Sequence, residues 1–329
     1  MVEKVADGFS RYYDTAVLME KLSSNELLLG EGNDIRRVLD GIDICIKKQE
    51  IWGISGKSLF EIKLLLEIMA NIKPYDGGKC VLLERGMMKR KRIMLPHVFY
   101  AGSHTMVYNN MNVLEFLMFI SAKKDGNVVV RQKRIFDLLL SAGLQNISLS
   151  PIYSLTKEYK SIIILLAGYF TPSELIIINY PDYNYSDEQI EALRHIAELI
   201  RDSGRTLVLS TTDCRIIERV CSHTAFLING KIVYSGTVED FRKNYDKTIL
   251  YIWDSDPKEL LSVLSQKLPQ YTYDFDEGKI IISCETSCEN DIKLIYKTAA
   301  GAGFAPDKIH VNEKTVENAC KELLSRYDL

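Results

Sequence analysis

The pattern of apolar and polar positions predicts strands that alternate with helices along the chain. Apolar runs of strand length at 50–55, 175–179 and 206–210 predict buried strands. Helical spacing of apolar residues at about 59–71 and 187–202 predicts helices next to these strands. Buried strands separated by helices of this length imply a parallel sheet with crossover helices.

Further strands are predicted from the alternation of apolar and polar residues and from turn residues beside them. Residues 39–46 alternate between apolar and polar, as a half-buried strand does, and a strand at 79–83 follows a turn rich in Gly, Pro and Asp. The dipeptide Asn229-Gly230 separates apolar runs at 224–228 and 232–234. An Asn-Gly pair between two such runs predicts a β-hairpin.

The chain divides into two parts by the length of its predicted elements. Residues 113–166 predict several amphipathic helices within the first part. After about residue 246 the strands and helices become short and mixed, which is typical of an appended α+β module. The sequence therefore predicts a first domain at 1–245 and an accessory module at 246–329.

Composition narrows the functional classes. The chain has 329 residues, 47% of them hydrophobic and 26% charged, which indicates a globular protein with an ample core. A net charge of −3 gives no reason to expect a nucleic-acid partner. The 7 cysteines form no zinc-ligand pattern, so no metal site is expected and reduced thiols in the cytoplasm fit best. The polar start predicts no secretory signal. Residues 171–174 split the most apolar stretch into halves that are too short to span a bilayer.

Three segments carry a resemblance to a known family. They are VLDGIDICIKKQEIWGISG at 38–56, IKPYDGGKCVLL at 72–83, and SGRTLVLSTTDCRIIERVCSHTAFLINGKIVYSGTVEDF at 203–241. Over roughly 38–241 the sequence resembles the ATP-binding subunits of ABC transporters. The resemblance implies an α/β fold, a P-loop NTPase-like ABC ATPase domain with a mixed sheet and flanking helices. It also implies a helical subdomain at about 105–170, with the α+β module appended.

The phosphate loop of that family has the form GxxxxGK[ST], in which glycines let backbone N–H groups approach the phosphates, Lys neutralises them and the hydroxyl holds magnesium. Gly56-Lys57-Ser58 looks like its end, but the glycine required five positions earlier is Ile51. Aligned instead with Gly56 at the start of the loop, the sequence places Leu59 and Glu61 at the glycine positions, Ile62 at the lysine position and Lys63 at the Ser/Thr position. We expect the Glu61 carboxylate to face the phosphates and repel them.

The other motifs of the family are also altered at the matching positions. The Walker B positions for the magnesium-binding Asp and the catalytic Glu hold Asn179 and Tyr180, and the switch histidine position holds Thr212. Asn lacks the charge that a hard cation favours, and a tyrosine hydroxyl is not a base at neutral pH. The signature Leu-Ser-Gly-Gly-Gln, which caps a partner's γ-phosphate, is replaced by Ser154, Leu155, Thr156, Lys157 and Glu158. Ser103 falls near the glutamine that senses magnesium, and 183–187 match the D-loop.

Two hypotheses about function follow from these residues. In the first, the protein is a pseudo-ATPase without bound cofactor, a structural or regulatory partner of an ABC permease subunit and of another nucleotide-binding subunit, either itself or a competent homologue. It would lie in the cytoplasm at the inner face of the cell membrane. In the second, it is a divergent but active ATPase that binds MgATP through Lys57 or Lys63.

Three further segments leave their roles open. Residues 100–119, rich in Met and aromatic residues, fit either a permease-docking surface or a helix core. The basic run Lys89-Arg90-Lys91-Arg92 fits either a solvated rim or a contact with lipid or nucleic acid. The module after residue 246 is a candidate binder of a small effector.

Overall fold

The computed structural model describes residues 14–29, 35–87, 97–102, 105, 108, 110–123, 127–245, 248–276, 278–284, 288–311 and 315–327. The contacts between Cα atoms divide the chain into two compact units, Met1–Val238 and Glu239–Leu329. This division lies at the start of the helix Val238–Tyr245, whereas the boundary expected from the sequence lies at its end.

The elements of the first unit follow one another in a β-rich, then α/β order. The described strands are β1 (Thr15–Ser24), β2 (Leu27–Leu29), β3 (Ile35–Arg37), β4 (Ile42–Lys47), β5 (Ile51–Gly56), β6 (Tyr75–Leu82), β7 (Arg85–Gly86), β8 (Val98–Gly102), β9 (Leu175–Asn179), β10 (Thr206–Ser210), β11 (His223–Ile228) and β12 (Lys231–Thr237). The described helices are α1 (Leu59–Met69), α2 (Val113–Ile120), α3 (Val128–Ser141), α4 (Lys157–Phe170), α5 (Asp187–Asp202) and α6 (Cys214–Val220), with 3₁₀ turns at Ser121–Lys123, Gln145–Ile147 and Ile152–Ser154. Helix α7 (Val238–Tyr245) begins at the last residue of the first unit and otherwise belongs to the second.

A six-stranded sheet forms the centre of the first unit. Its strand order is β12-β11-β5-β10-β9-β8, with parallel pairing from β11 to β8 and an antiparallel edge at β12. Every residue of β9 and β10 is buried, as expected for parallel strands with both faces covered. The parallel sheet predicted from the apolar runs is confirmed, and so is the α/β fold class with a mixed sheet and flanking helices.

A second, antiparallel sheet has the order β4-β1-β6-β7. It packs against one face of the central sheet, where the two sheets share a buried core. Strand β4 alternates between buried and exposed residues, as its sequence predicts. Met19, Leu22 and Ile46 of this sheet share a buried core with Ile54 of β5 and Leu65 of α1. Helix α1 is therefore held between the two sheets, and its first turn lies where the carboxyl end of β5 emerges.

The hairpin predicted at Asn229-Gly230 is confirmed. Both residues have positive φ, 51° and 74°, as a type I′ turn requires. A Cβ on Gly230 would lie 2.4 Å from the carbonyl oxygen of Val38, so this position accepts only glycine. The amide of Asp40 donates to the carbonyl oxygen of Gly230 at 2.9 Å, which fixes the hairpin to the segment between β3 and β4.

The second unit has a βαββαβ order followed by a last helix. Its elements are β13 (Thr248–Trp253), α8 (Pro257–Lys267), β14 (Thr272–Asp276), β15 (Lys279–Cys284), α9 (Cys288–Ala300), β16 (Lys308–Val311) and α10 (Val316–Ser325). The antiparallel sheet has the order β14-β15-β13-β16. This is the ferredoxin-like arrangement of two split βαβ units, and it confirms the α+β pattern seen in the sequence.

The close approach of β5 and β11 gives a test of the packing at the end of β5. A Cβ on Gly56 would lie 2.1 Å from the carbonyl oxygen of Leu227, so Gly56→Ala forces two paired strands apart. We expect this change to lower the free energy of unfolding of the first unit by at least about 2 kcal/mol. Urea unfolding followed by Trp52 fluorescence in a Trp253→Phe background measures it, because the sequence has 2 tryptophans.

The matched control is Gly86→Ala in β7, where a Cβ would meet nothing within 4 Å. That change should alter the unfolding free energy by less than about 0.5 kcal/mol. Equal midpoints for the two variants would show that the β5–β11 contact is looser than described.

Candidate functional site

The candidate site lies at the carboxyl ends of three neighbouring parallel strands. Gly56 ends β5, Ser210 ends β10 and Asn179 ends β9, and these strands are adjacent in the order β5-β10-β9. In open α/β sheets, ligands bind outside the carboxyl ends of the strands. The residues that the sequence places in the phosphate loop and in the Walker B motif therefore meet at one edge of the sheet.

The link between β5 and α1 consists of Lys57 and Ser58 alone. Helix α1 begins at Leu59, and the Ser58 hydroxyl caps it by accepting a hydrogen bond from the amide of Glu61 at 3.3 Å. A phosphate loop needs several non-helical residues whose N–H groups turn inward around the anion. The segment expected to carry the loop, 56–63, instead forms a two-residue link and the first turn of a helix.

Neither residue at the predicted lysine and Ser/Thr positions extends freely toward the carboxyl ends of the strands. One lies in the core and the other is paired with a carboxylate. Ile62 is fully buried in the core between the two sheets. The Lys63 ammonium lies 3.9 Å from the carboxylate of Glu67 one turn further along α1. The backbone amide of Lys57 donates to the carbonyl oxygen of Leu227 at 3.3 Å, which continues the pairing of β5 with β11.

Glu61 does not face an incoming anion, and the expectation that it would repel phosphates from the site in this way is wrong. The residue is 1% exposed and points into the protein. Its Oε1 lies 3.0 Å from Nη2 of Arg36, and its Oε2 accepts a hydrogen bond from the amide of Gly230 at 3.0 Å. A buried carboxylate is stable only when it is paired and hydrogen-bonded, and both conditions are met here. The carboxylate joins α1 to β3 and to the β11–β12 turn.

Asn179, at the Walker B aspartate position, uses both ends of its amide within the protein. Its Nδ2 donates to the hydroxyl of Tyr100 at 3.1 Å, and its Oδ1 accepts from the hydroxyl of Ser210 at 2.9 Å. The side chain is almost fully buried, so these bonds connect β8, β9 and β10 at their ends. A neutral amide lacks the negative charge that a divalent cation prefers, and one lone pair of its oxygen is already used by Ser210.

Tyrosine rings fill the space beyond the end of β9. The rings of Tyr180 and Tyr183 stack with centroids 4.9 Å apart, and the hydroxyl of buried Tyr185 lies 2.6 Å from that of Ser161 on α4. Burial raises the pKa of Tyr180 to about 12. The hydroxyl at the catalytic glutamate position is therefore protonated at neutral pH and cannot take a proton from water.

Thr212, at the switch histidine position, is bonded back to the end of the Walker B segment. Its amide and its hydroxyl both donate to the carbonyl oxygen of Pro181, each at 2.9 Å. A threonine hydroxyl has no ionisable group near neutral pH, so it cannot accept a proton from an attacking water. The two hydrogen bonds instead fix the loop after β10 to the loop after β9.

The signature positions form the start of α4. Ser154 ends a 3₁₀ turn, Leu155 is buried, and the hydroxyl of Thr156 caps the helix by accepting from the amide of Tyr159 at 3.4 Å. Glu158 lies in the first turn, where its charge interacts favourably with the helix dipole. The helix start thus carries its own cap and its own negative charge.

The structure brings together some of the positions that the sequence predicts, but not Ile62 or Lys63. Asn179, Tyr180 and Thr212 lie around the loop after β9, and the Lys157 ammonium lies 4.7 Å from the ring centroid of Tyr183. Sequence reasoning missed three side chains that complete the site, Arg36, Tyr100 and Ser210. Of these, Ser210 alone carried a signal, as the polar end of an apolar strand.

Some expectations fall on parts that the structure does not describe or describes only in part. Ser103 and the basic run 89–92 lie outside the described residues. Within 100–119 the described residues are mixed, since Phe116 is buried whereas Phe119 is 52% exposed. Among the described residues, no three His, Cys, Asp or Glu side chains are grouped so that they could hold a metal ion. None of the described helices combines the length and the apolar character needed to cross a bilayer.

Comparison with known proteins gives relatives of one kind. The sequence is 25% identical over 213 residues to an uncharacterized ABC transporter ATP-binding protein of Methanocaldococcus jannaschii, covering 62% of this chain and 74% of that one. It is 23% identical over 209 residues to a methionine import ATP-binding protein of Wolinella succinogenes, covering 62% and 69%. It is 20% identical over 223 residues to a lantibiotic transport ATP-binding protein of Streptococcus pyogenes, covering 66% and 93%. No protein-family model matches the sequence.

Solved structures show the same fold. The chain superposes on cbiO1 of Clostridium perfringens, part of the ABC transporter complex cbiONQ, with a TM-score of 0.57 and 16% identity, covering 78% of this chain and 97% of that one. It superposes on an ATP-binding cassette dimer bound to ADP and phosphate with a TM-score of 0.54 and 14% identity, covering 68% and 98%. The first unit has the fold of an ABC-type nucleotide-binding domain. The resemblance seen in the sequence is confirmed at the level of this domain.

Within this ABC-type domain, the strand ends that face the candidate site are satisfied by groups of the same chain. The carboxylate of Glu61, the amide of Asn179 and the hydroxyl of Thr212 each have partners at hydrogen-bond distance. At the positions that the sequence predicts for ATP and magnesium, these side chains form bonds within the domain.

The pairing of Glu61 predicts a large effect of a small change. Glu61→Gln keeps the shape of the side chain and removes its charge, which leaves the guanidinium of Arg36 without its ionic partner. Because Arg36 is 40% exposed and water solvates part of it, we expect a loss of about 1–3 kcal/mol in unfolding free energy. Urea unfolding followed by Trp52 fluorescence in the same Trp253→Phe background measures the loss.

Glu67→Gln on the same helix is the control, because its longer ion pair with Lys63 should contribute no more than about 0.5 kcal/mol. In a double-mutant cycle, Arg36→Met should cost less in the Glu61→Gln background than in the original protein. Additive effects would show that the two side chains do not stabilise each other.

The buried hydroxyl of Tyr180 predicts a pH dependence on the alkaline side. An unfolded tyrosine loses its proton near pH 10, whereas the folded protein holds the pKa of Tyr180 at about 12. Between these values the folded state binds more protons, so stability falls as pH rises through this window. Tyr180→Phe should reduce the fall in the urea midpoint between about pH 9 and pH 11. Identical slopes for the two proteins would place the Tyr180 hydroxyl in contact with water.

Proposed function

We propose that this protein is an ABC ATP-binding-subunit-like pseudo-ATPase, a structural or regulatory partner of a membrane permease. The observation that carries the proposal is the two-residue link between β5 and α1, with Glu61 buried behind it. In this proposal the domain keeps the shape of an ATP-binding subunit and gives up the binding of the triphosphate. It acts at the cytoplasmic face of the membrane.

The chemistry of ATP binding supports the proposal. A triphosphate with magnesium needs backbone N–H groups, a lysine and a hydroxyl at the end of the first parallel strand. Here the lysine position is Ile62 in the core, and the only carboxylate in the first turn of α1 is Glu61, which is already paired. The exposed side chains at the start of α1 are those of Leu59 and Phe60, 43% and 50% exposed. An apolar helix start of this kind does not replace the hydration of a polyanion.

The chemistry of hydrolysis supports the same conclusion. Hydrolysis of a phosphoanhydride needs a residue that orients or deprotonates the attacking water, and a metal ion held by a carboxylate. The corresponding residues are the protonated hydroxyl of Tyr180 and the occupied amide of Asn179. Neither group supplies the required charge.

The relatives support the transport context. Their names describe ATP-binding proteins of methionine import and of lantibiotic transport, and cbiO1 is part of a transporter complex. In an ABC transporter such subunits work beside a permease. We extend that role to this chain and leave its substrate unassigned, because the relatives differ in what they transport.

The proposal predicts how the protein responds to nucleotide. Titration calorimetry of the full chain with MgATP should give no binding heat at nucleotide concentrations on the order of 1 mM, which corresponds to binding weaker than about −4 kcal/mol. No phosphate release above buffer should accompany it. A competent ABC ATPase measured under the same conditions provides the positive control.

The opposite result would favour a divergent but active ATPase. Micromolar MgATP affinity that Lys57→Ala or Lys63→Ala abolishes would identify that lysine as the phosphate contact and would overturn the proposal. The permease partnership is tested separately, by affinity purification of the tagged chain from detergent-solubilised membranes of its own cell. Recovery without any polytopic membrane protein would contradict the proposed partnership.

A further inference from the structure

A cleft of about 500 Å³ opens between the two sheets of the first unit. One wall is formed by β1 and β4 and includes Leu18 and Cys45. The other wall is formed by β5, β11 and β12 and includes Trp52, His223 and Ser235. Trp52 and His223 lie at the amino ends of their strands, whereas the candidate site lies at the carboxyl ends. The cleft is therefore separate from the candidate site.

The wall formed by β4 is charged at its ends and uncharged in its middle. Asp43, Cys45 and Lys47 line the cleft and alternate with buried residues of the strand. Leu18 of β1 pairs with Cys45, so an apolar side chain and a thiol lie between Asp43 and Lys47. Burial, followed by the nearby Glu50 carboxylate, raises the pKa of the Cys45 thiol, which is therefore protonated at neutral pH.

A carboxylate with a fixed position closes one end of the cleft. Oε2 of Glu50 accepts hydrogen bonds from Nε1 of Trp52 at 2.7 Å and from the amide of Lys47 at 2.8 Å. Its Oε1 lies 3.4 Å from Nε2 of His223, whose ring stacks on that of Trp52 with centroids 5.0 Å apart. Each carboxylate oxygen has two lone pairs, so Oε1 can accept a further N–H donor from the cleft.

The opposite end of the cleft carries two more carboxylates. Oδ1 of Asp43 accepts a hydrogen bond from the amide of Lys21 at 2.9 Å. Glu20 forms an ion pair with Lys79 at 3.3 Å, and because both side chains are about half exposed, this pair is weak. Since Glu50 is bonded to the amide of Lys47, four residues along β4 from Asp43, the two acidic ends are about 13 Å apart.

The balance of charge in the lining favours a cation. Among the described residues that line the cleft, three are acidic, namely Glu20, Asp43 and Glu50, and one, Lys47, is a lysine. The imidazole of His223 lies beside Glu50, and the Lys47 ammonium opposes a cation by its like charge. A ligand that fits this cleft is therefore cationic at both ends and apolar between them.

We propose that the cleft binds a linear diamine or polyamine, whose ammonium groups pair with Asp43 at one end and with Glu50 at the other. The methylene chain between the ammonium groups packs on Leu18 and on the thiol of Cys45. A diamine with eight carbons spans about 11 Å between its nitrogens, since three bonds of an extended chain cover about 3.6 Å. Its length therefore matches the separation of the acidic ends. Binding here needs neither nucleotide nor a permease, so it does not depend on the function proposed above.

Titration calorimetry of the full chain with octamethylenediamine tests the site, at low ionic strength because salt screens exposed charges. We expect a dissociation constant below about 1 mM. Trimethylenediamine carries the same charge but spans only about 5 Å, so it reaches one carboxylate at a time and should bind at least about fivefold more weakly. Equal affinities would overturn the proposal, because they would show attraction to charge alone. Absence of binding heat at concentrations up to about 10 mM would overturn it as well.

A matched pair of variants locates the ligand. Asp43→Asn should raise the dissociation constant of octamethylenediamine at least about threefold, because it removes the charge that holds one ammonium group. Glu188→Gln removes the same charge from the first turn of α5, where the side chain is exposed and outside the lining of the cleft. It should leave the dissociation constant unchanged. Equal effects of the two changes would contradict binding in the cleft.

A third variant separates binding from a loss of folding. Lys47→Met removes the opposing charge and keeps the backbone amide that holds Glu50, so it should lower the dissociation constant about threefold. Partial unfolding cannot produce such a gain in affinity. An unchanged or weaker affinity would show that the diamine does not lie beside Lys47 and would overturn the proposal.

Discussion

The arrangement of the candidate site depends on the interactions of the Glu61 carboxylate with Arg36 and with the amide of Gly230. The carboxylate is buried, and it joins three segments that are distant in sequence, because Arg36 lies 25 residues before it and Gly230 lies 169 residues after it. An unpaired charge at this depth would destabilise the fold strongly, so α1, β3 and the β11–β12 turn must keep their positions together. The first turn of α1 is thereby fixed against the rest of its own domain.

The same principle applies at the neighbouring strand ends. Buried polar groups require partners, and in a ligand-binding site the ligand supplies part of them. Here Asn179 has Tyr100 and Ser210, and Thr212 has the carbonyl oxygen of Pro181. An edge whose polar groups are paired in this way keeps its geometry without nucleotide, which suits a subunit whose proposed role is to hold a shape beside a permease.

Much of the fold could be predicted because it depends on local patterns. The runs 175–179 and 206–210 match β9 and β10 residue for residue, because a parallel strand that is buried on both faces gives a continuous apolar run of strand length. Strand β1 could not be predicted in this way, because its register shifts between Glu20 and Ser23 interrupt the alternation of buried and exposed residues. The orientation of the Glu61 side chain could not be predicted from the sequence either. It is set by Arg36 and Gly230, which only the tertiary fold brings close to it. The side chains at the predicted motif positions could be named from the sequence, whereas the hydrogen bonds that they form could not.

The predicted motif positions also bear on how such a subunit associates with another. The resemblance to ABC transporters implies that each ATP lies between the phosphate loop of one subunit and the signature of the other, so nucleotide contributes to holding competent subunits together. In the proposed pseudo-ATPase, Glu61 at the phosphate-loop position and Glu158 at the signature position remove that contribution from both sites.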